Sequence, residues 1–226
     1  MRKQVAALLT MVILAFTGCS MPGTSTAETD RPYDSNFETA KDFAEYWCGP
    51  CEEVDVYTVQ AAGNGSDIEV HVLKDNEYGF EYTVNKYYAE YNGKKYNTPT
   101  YICHDFDYYY LQEFLNAADY SELADKYDLT IELEELRPSA TEGVYDTYFS
   151  TINIYSDQQL TDAQLDAIFD FTYDALQEFD VRKHFTKNEY CNRVCISIYC
   201  APTEEEAANG YVYGGDMAYY GYAAEN

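Results

Sequence analysis

Apolar and polar positions change period several times along this chain, and each change predicts an element. Behind Arg2 and Lys3, an apolar run extends from Val5 to Phe16. It is shorter than the ~20 residues a membrane-spanning helix needs. From Ser20 to Asp34 the residues are Ser, Thr, Pro, Gly and acidic types with almost nothing apolar, the composition of a disordered tether. Helical spacing starts with Phe37, Ala40, Ala44 and Trp47, and Ser35 with Glu38 matches a capping box. Gly49 and Pro50 predict its end.

A period of two follows. Val54, Val56 and Thr58 alternate with Asp55, Tyr57 and Val59, and then Ile68, Val70 and Val72 alternate with Glu69 and His71. Gly63, Asn64 and Gly65 between them predict a hairpin. A third alternating run carries Phe80, Tyr82 and Val84 on one face and can extend to Tyr91 before an Asn92-Gly93 turn, completing an antiparallel meander. Asp105 is placed to cap a helix striped by Leu111, Phe114, Leu115 and Ala118, and Ser121 can restart it through Leu123, Ala124 and Tyr127. Leu129 to Leu133 and Tyr148 to Tyr155 read as strands. Thr161 and Gln164 form a second capping box, with Leu160 and Leu165 as the staple and Leu165, Ile168, Phe169, Leu176 and Phe179 as the buried face. Val194, Ile196 and Ile198 add one more strand. The predicted fold class is α+β: an antiparallel meander with packed helices, then a strand-helix-strand unit whose helix crosses over one sheet. One domain is expected over residues 35–208, with halves at 35–137 and 144–208. For the Tyr- and Gly-rich tail, 209–226, the sequence leaves both an edge strand and disorder open.

The N-terminal order, basic then apolar then small, predicts a secretory signal peptide over residues 1–18. Phe16-Thr17-Gly18-Cys19-Ser20 resembles the lipobox of bacterial lipoproteins, with Phe16 standing where that family usually has Leu. The resemblance implies Sec-dependent export, cleavage before Cys19, acylation of Cys19, and residence on the outer face of the cell membrane behind a tether at 19–34. The plainer alternative is a cleaved signal with no lipid. Charge fits an exported domain, since 40 acidic residues face 14 basic ones. A surface so negative repels nucleic acid, so no nucleic-acid partner is expected. The 26 tyrosines and 11 phenylalanines exclude a disordered polyanion. Tyrosines in excess of what a core accommodates point to a contact surface.

Apart from Cys19 the cysteines are Cys48, Cys51, Cys103, Cys191, Cys195 and Cys200, an even set that suits disulfides in an oxidising compartment. Cys195 and Cys200 would lie about 16 Å apart on opposite faces of one strand, beyond the roughly 7 Å a disulfide allows. Trp47-Cys48-Gly49-Pro50-Cys51 resembles the active-site string of thioredoxins, and Thr98-Pro99-Thr100 resembles their cis-proline loop. That resemblance implies Cys48 as nucleophile, Cys51 as resolving thiol and Pro99 as the residue that positions substrate. The flanking periodicity opposes it. Helical spacing precedes Cys48 and β-branched alternation follows Cys51, which puts the pair at a helix C-terminus among Glu45, Glu52, Glu53 and Asp55, where a thiolate is disfavoured.

Cys103-His104-Asp105 offers three metal-ligand types, but adjacent residues do not readily reach one ion, and Asp105 reads as a helix start. His71 reads as a surface histidine and His184 as a helix-end cation. No P-loop, nucleophile elbow, metalloprotease or calcium-loop spacing occurs, so no cofactor or metal is expected.

Leu73-Lys74-Asp75-Asn76-Glu77-Tyr78-Gly79-Phe80-Glu81-Tyr82-Thr83-Val84 resembles a block in small uncharacterised lipoproteins of low-GC Gram-positive bacteria, loosely over Phe37 to Cys200. The resemblance implies a fold and a location and brings no catalytic residues. The expected function is therefore a lipid-anchored, non-enzymatic binding module of the envelope, with an inhibitor or immunity-like role in the same class. Its expected partners are the membrane, through Cys19, and an envelope protein or cell-wall material. The alternative is an extracytoplasmic thiol-disulfide oxidoreductase using Cys48 and Cys51.

Overall fold

Thr39 sets the first helix of the computed structural model, which describes residues 37–62, 66–88, 90–91, 94–95, 98–146, 150–181, 193–202 and 210–220. Its extended backbone (φ −128°, ψ 161°) turns the Oγ1 toward the Asp42 N–H, which donates to it at 3.0 Å. The Asp42 carboxylate accepts the Thr39 N–H at 3.0 Å in return. Helix α1 therefore spans Ala40–Trp47, later than the predicted box at Ser35 and Glu38. Ser35, the signal peptide, Cys19 and the tether lie outside the described residues. Ala40 and Ala44 are fully buried, with Phe37 and Phe43 packed beside them. Trp47, predicted on that stripe, is half-buried and instead meets Tyr46 edge-on at 4.9 Å.

The first sheet is the expected meander. Strands β1 (Cys51–Gln60), β2 (Asp67–Asp75), β3 (Glu81–Tyr87) and β6 (Thr100–Ile102) lie in that order, each antiparallel to its neighbour. Between β3 and β6, β4 (Glu90–Tyr91) pairs with β5 (Lys94–Lys95), bracketing the predicted turn at Asn92 and Gly93. Those two residues and Gly63 to Gly65 lie outside the described residues. A bulge between Glu53 and Asp55 breaks the β1 register. β1 is the sheet's edge and is buried only at Cys51, and Val54, Val56 and Tyr57 are exposed at 44%, 43% and 37%. Their alternation predicts a half-buried strand; the edge position overrides it, and Glu52, Glu53 and Asp55 supply charges of the kind that discourage pairing with another chain.

Helix α2 (Phe106–Ala117) lies against both β3 and β7 (Leu129–Leu133). Helix α3 (Ser121–Tyr127) ends in Asp128, whose left-handed backbone (φ 50°, ψ 56°) turns the chain into β7. The second sheet runs β10 (Val212–Tyr220), β9 (Arg193–Cys200), β8 (Thr151–Ser156), β7. β8 and β9 are parallel, joined through helix α4 (Asp162–Glu178), and the outer pairs are antiparallel. The tail thus supplies an edge strand. Thr161 and Gln164 form the predicted capping box. Ile168 and Leu176 of α4 are fully buried, as are Ile152 and Ile154 of β8 and Ile196 and Ile198 of β9. One core runs through the described residues, and rings of Tyr78, Tyr110, Phe114 and Phe179 join the two sheets across α2. The fold is α+β, as the periodicity predicts. Among the described residues no helix is long and apolar enough to cross a membrane.

Candidate functional site

The Cys48-Gly49-Pro50-Cys51 string sits where α1 stops and β1 begins. Cys48 is the C-cap, its N–H donating to the Ala44 carbonyl at 2.7 Å. Gly49 (φ 116°) reverses the chain there, a backbone conformation that other residues rarely adopt. The Pro50 carbonyl accepts the Asn76 N–H at 3.1 Å, and Cys51, buried, pairs with Asp75. Cys103, just past β6, closes the site. Its Sγ donates to Asp105 Oδ1 at 3.7 Å. The Tyr82 hydroxyl is buried, meets no partner of good geometry, and lies against the Cys51 thiol.

Electrostatics here resist ionisation. Burial pushes the Cys51 thiol up, with Glu45 adding to it. Cys103 is held well above the ordinary thiol range, first by the influence of Cys48 and then by burial. Burial likewise raises Tyr82. Asp105 is raised to about 6 by burial, against the bonds it accepts from Thr83. The sequence predicts Asp105 as a helix cap. It holds the N-cap position of α2 but makes no capping bond, because its carboxylate turns inward to accept the Thr83 N–H at 3.0 Å and the Thr83 hydroxyl at 2.9 Å.

Other predicted residues scatter. Pro99 precedes β6 while Cys103 follows it, about 13 Å apart along an extended strand. No cis peptide occurs among the described residues, so the likeness of Thr98-Pro99-Thr100 to a cis-proline loop is one of sequence only. His104 leaves its two neighbours, lying in the field of Asp146, and burial lowers its pKa. Among the described residues no three His, Cys, Asp or Glu side chains are placed to hold a metal. Cys195 and Cys200 lie on opposite faces of β9, as expected: Cys200 is buried with Ile196 and Ile198, Cys195 is not. Cys48, Cys51, Cys103, Cys195 and Cys200 all stand as thiols. Cys191 and His184 lie outside the described residues.

His71 is no surface histidine. It is buried between Glu53 Oε2, 2.7 Å from Nδ1, and Glu69 Oε1, 2.9 Å from Nε2. Carboxylates only accept, so both contacts are hydrogen bonds together only in the doubly protonated ring. Lys86 Nζ joins Glu69 at 2.7 Å, lowering the Glu69 pKa and raising its own. Glu53, His71, Lys86 and Tyr101 line, with the start of α1, an open cleft of about 330 Å³.

The feature that local reasoning missed is a face of the second sheet. Strand pairing places Tyr155 of β8 beside Tyr199 of β9, and Tyr199 beside Tyr213 of β10. The Tyr155 and Tyr199 rings stack at 5.2 Å, Tyr213 meets Tyr199 at 6.0 Å, and Tyr211 meets Tyr155 at 5.3 Å. The next row across the same face is Glu132, Asn153, Ser197 and Asp216. Tyr211 and Tyr213 are 47% and 55% exposed, and their hydroxyls donate to Asp157 and Asp216. The available signal was the position of Tyr155 and Tyr199 opposite the buried isoleucine stripe on their own strands.

Comparisons with protein-family models, with curated proteins and with solved structures find nothing that matches this chain.

Proposed function

We propose that this chain is a lipid-anchored protein of the outer face of the cell membrane, a non-enzymatic module that binds an envelope protein or cell-wall material through the tyrosine row of its second sheet. The observation that carries the binding role is the row itself. Four rings from three chain segments stand side by side, two of them about half exposed, next to a row of hydrogen-bonding side chains. Tyrosine provides large, rigid, amphipathic contact area at small entropic cost, which suits it to recognition surfaces. The anchor rests on the order of residues around Cys19. Preference for binding over thiol exchange rests on the helix that ends at Cys48, the strand that opens at Cys51, and the raised thiols of Cys51 and Cys103.

Fractionation of expressing cells tests both parts in sequence. Wild-type protein should sediment with membranes, and Cys19→Ala should move to the soluble fraction. That released form should then be retained by isolated cell wall or cross-link to a membrane protein, and the Tyr199→Ser/Tyr213→Ser variant should lose at least tenfold in retention while keeping its melting temperature within a few degrees. A soluble wild type refutes the anchor, and retention unaffected by the substitutions refutes the tyrosine face.

A further inference from the structure

The exposed hydroxyls of the tyrosine row are already engaged as donors. Tyr211 donates to Asp157 Oδ1 at 2.5 Å, and Tyr213 donates to the Asp216 carboxylate. A phenol that donates has only lone pairs left to offer, and a carboxylate only accepts. Both pairs therefore present acceptors and negative charge to a ligand. Glu132, exposed on β7, adds a third carboxylate at the far end of the row that runs through Asn153 and Ser197 to Asp216. Three strand spacings separate Glu132 from Asp216, about 14 Å. Neither that row nor its neighbour, formed by Thr130, Tyr155, Tyr199 and Tyr213, contains a Lys or Arg.

We propose that this face binds a basic polypeptide segment, with Lys or Arg side chains set among the tyrosine rings and reaching the carboxylates of Asp157, Asp216 and Glu132. The proposal deepens the reading of the tyrosine row as the binding surface and rests on it. Ammonium and guanidinium groups only donate, which matches a surface of acceptors, and both are attracted to aromatic rings. In an extended segment, residues four apart lie about 13 Å from each other, close to the span from Glu132 to Asp216. Asn153 and Ser197, half-buried between those ends, supply hydrogen-bonding groups for the segment's backbone. A glycan suits the face less well. Sugar hydroxyls accept as readily as they donate, and Tyr155 and Tyr199, 18° from parallel with centroids 5.2 Å apart, each cover a face of the other. The chain's net charge of −26 also speeds the approach of a cationic partner.

The test titrates the Cys19→Ala chain with fluorescein-labelled alternating Lys-Thr and Ser-Thr octapeptides by anisotropy, and with chitotetraose by calorimetry. The Lys-Thr peptide should bind at least tenfold more tightly than the Ser-Thr peptide. Its affinity should fall at least tenfold in Tyr199→Ser/Tyr213→Ser and at least fivefold in Glu132→Gln/Asp216→Asn. Glu52→Gln/Glu81→Gln removes the same charge from exposed positions of the first sheet and should change it less than twofold. Equal losses in the two charge variants would reduce the attraction to net charge and overturn the proposal. So would equal binding of the two peptides, which the unsubstituted face decides even where a variant fails to fold. Chitotetraose bound through the tyrosines in place of the Lys-Thr peptide would overturn the basic partner while leaving the tyrosine row as the binding surface. Peptide binding untouched by the tyrosine substitutions would sink both.

Discussion

Asp105 shows how a buried carboxylate is tolerated. Two Thr83 donors and the Cys103 thiol satisfy its oxygens, yet burial still outweighs them and raises it from 3.8 to about 6. Because the folded protein binds this proton more tightly than the unfolded chain, Asp105 favours folding below pH 4, and that contribution is lost as pH rises through 6. Holding this carboxyl near 6 instead of 3.8 corresponds to roughly 3 kcal/mol across that window. Asp105→Asn keeps an acceptor for Thr83 and removes the titration. The difference in unfolding free energy between wild type and variant should therefore fall by about that amount from pH 4 to pH 7 in paired urea titrations. A flat difference would show that the carboxylate is solvated. At His71 the same tension is resolved by pairing, with a carboxylate on each ring nitrogen.

Among the elements, α4 is held by more than its apolar stripe. Thr172, fully buried on that stripe, donates its hydroxyl to the Ile168 carbonyl at 2.8 Å and accepts the Tyr120 hydroxyl at 3.1 Å. Tyr120 is the N-cap residue of α3, so this contact docks one helix on another. Thr172→Val leaves the Tyr120 hydroxyl buried and unpaired and should cost about 1–3 kcal/mol. Adding Tyr120→Phe removes the orphan and should recover most of the loss. If both single variants and the double variant melt together, the bond contributes nothing. Legibility differed sharply between elements. The β8–α4–β9 unit could be read because isoleucines alternate on both strands and the capping box is local. The burial of β1 could not, since Val54, Val56 and Tyr57 have the same alternation whether a strand is central or at an edge.

Across the folded chain, charge imbalance is the main global stress. The described ion pairs are few, Lys41 with Glu45, Glu69 with Lys86 and His71, Glu53 with His71, and Glu134 with Arg137, while 40 acidic residues face 14 basic ones. Self-repulsion of that size destabilises a compact state and is screened by salt. Raising NaCl from about 10 to about 150 mM should therefore raise the melting temperature by several degrees. A decrease would mean that the pairs outweigh the repulsion.

Local order along the chain was enough for the α+β class, the meander, the crossover unit, the second capping box and the opposed faces of Cys195 and Cys200. Each follows from spacing within a few residues, where backbone geometry alone decides which side chains share a face. It also sufficed to place Cys48 at a helix end, since helical spacing before it and β-branched alternation after it are local. Contacts between segments were decided only on folding. Asp105 turns to Thr83, His71 fills the gap between Glu53 and Glu69, and tyrosines of β8, β9 and β10 form one row. Each of these depends on how separate segments register against one another, and no local period encodes it.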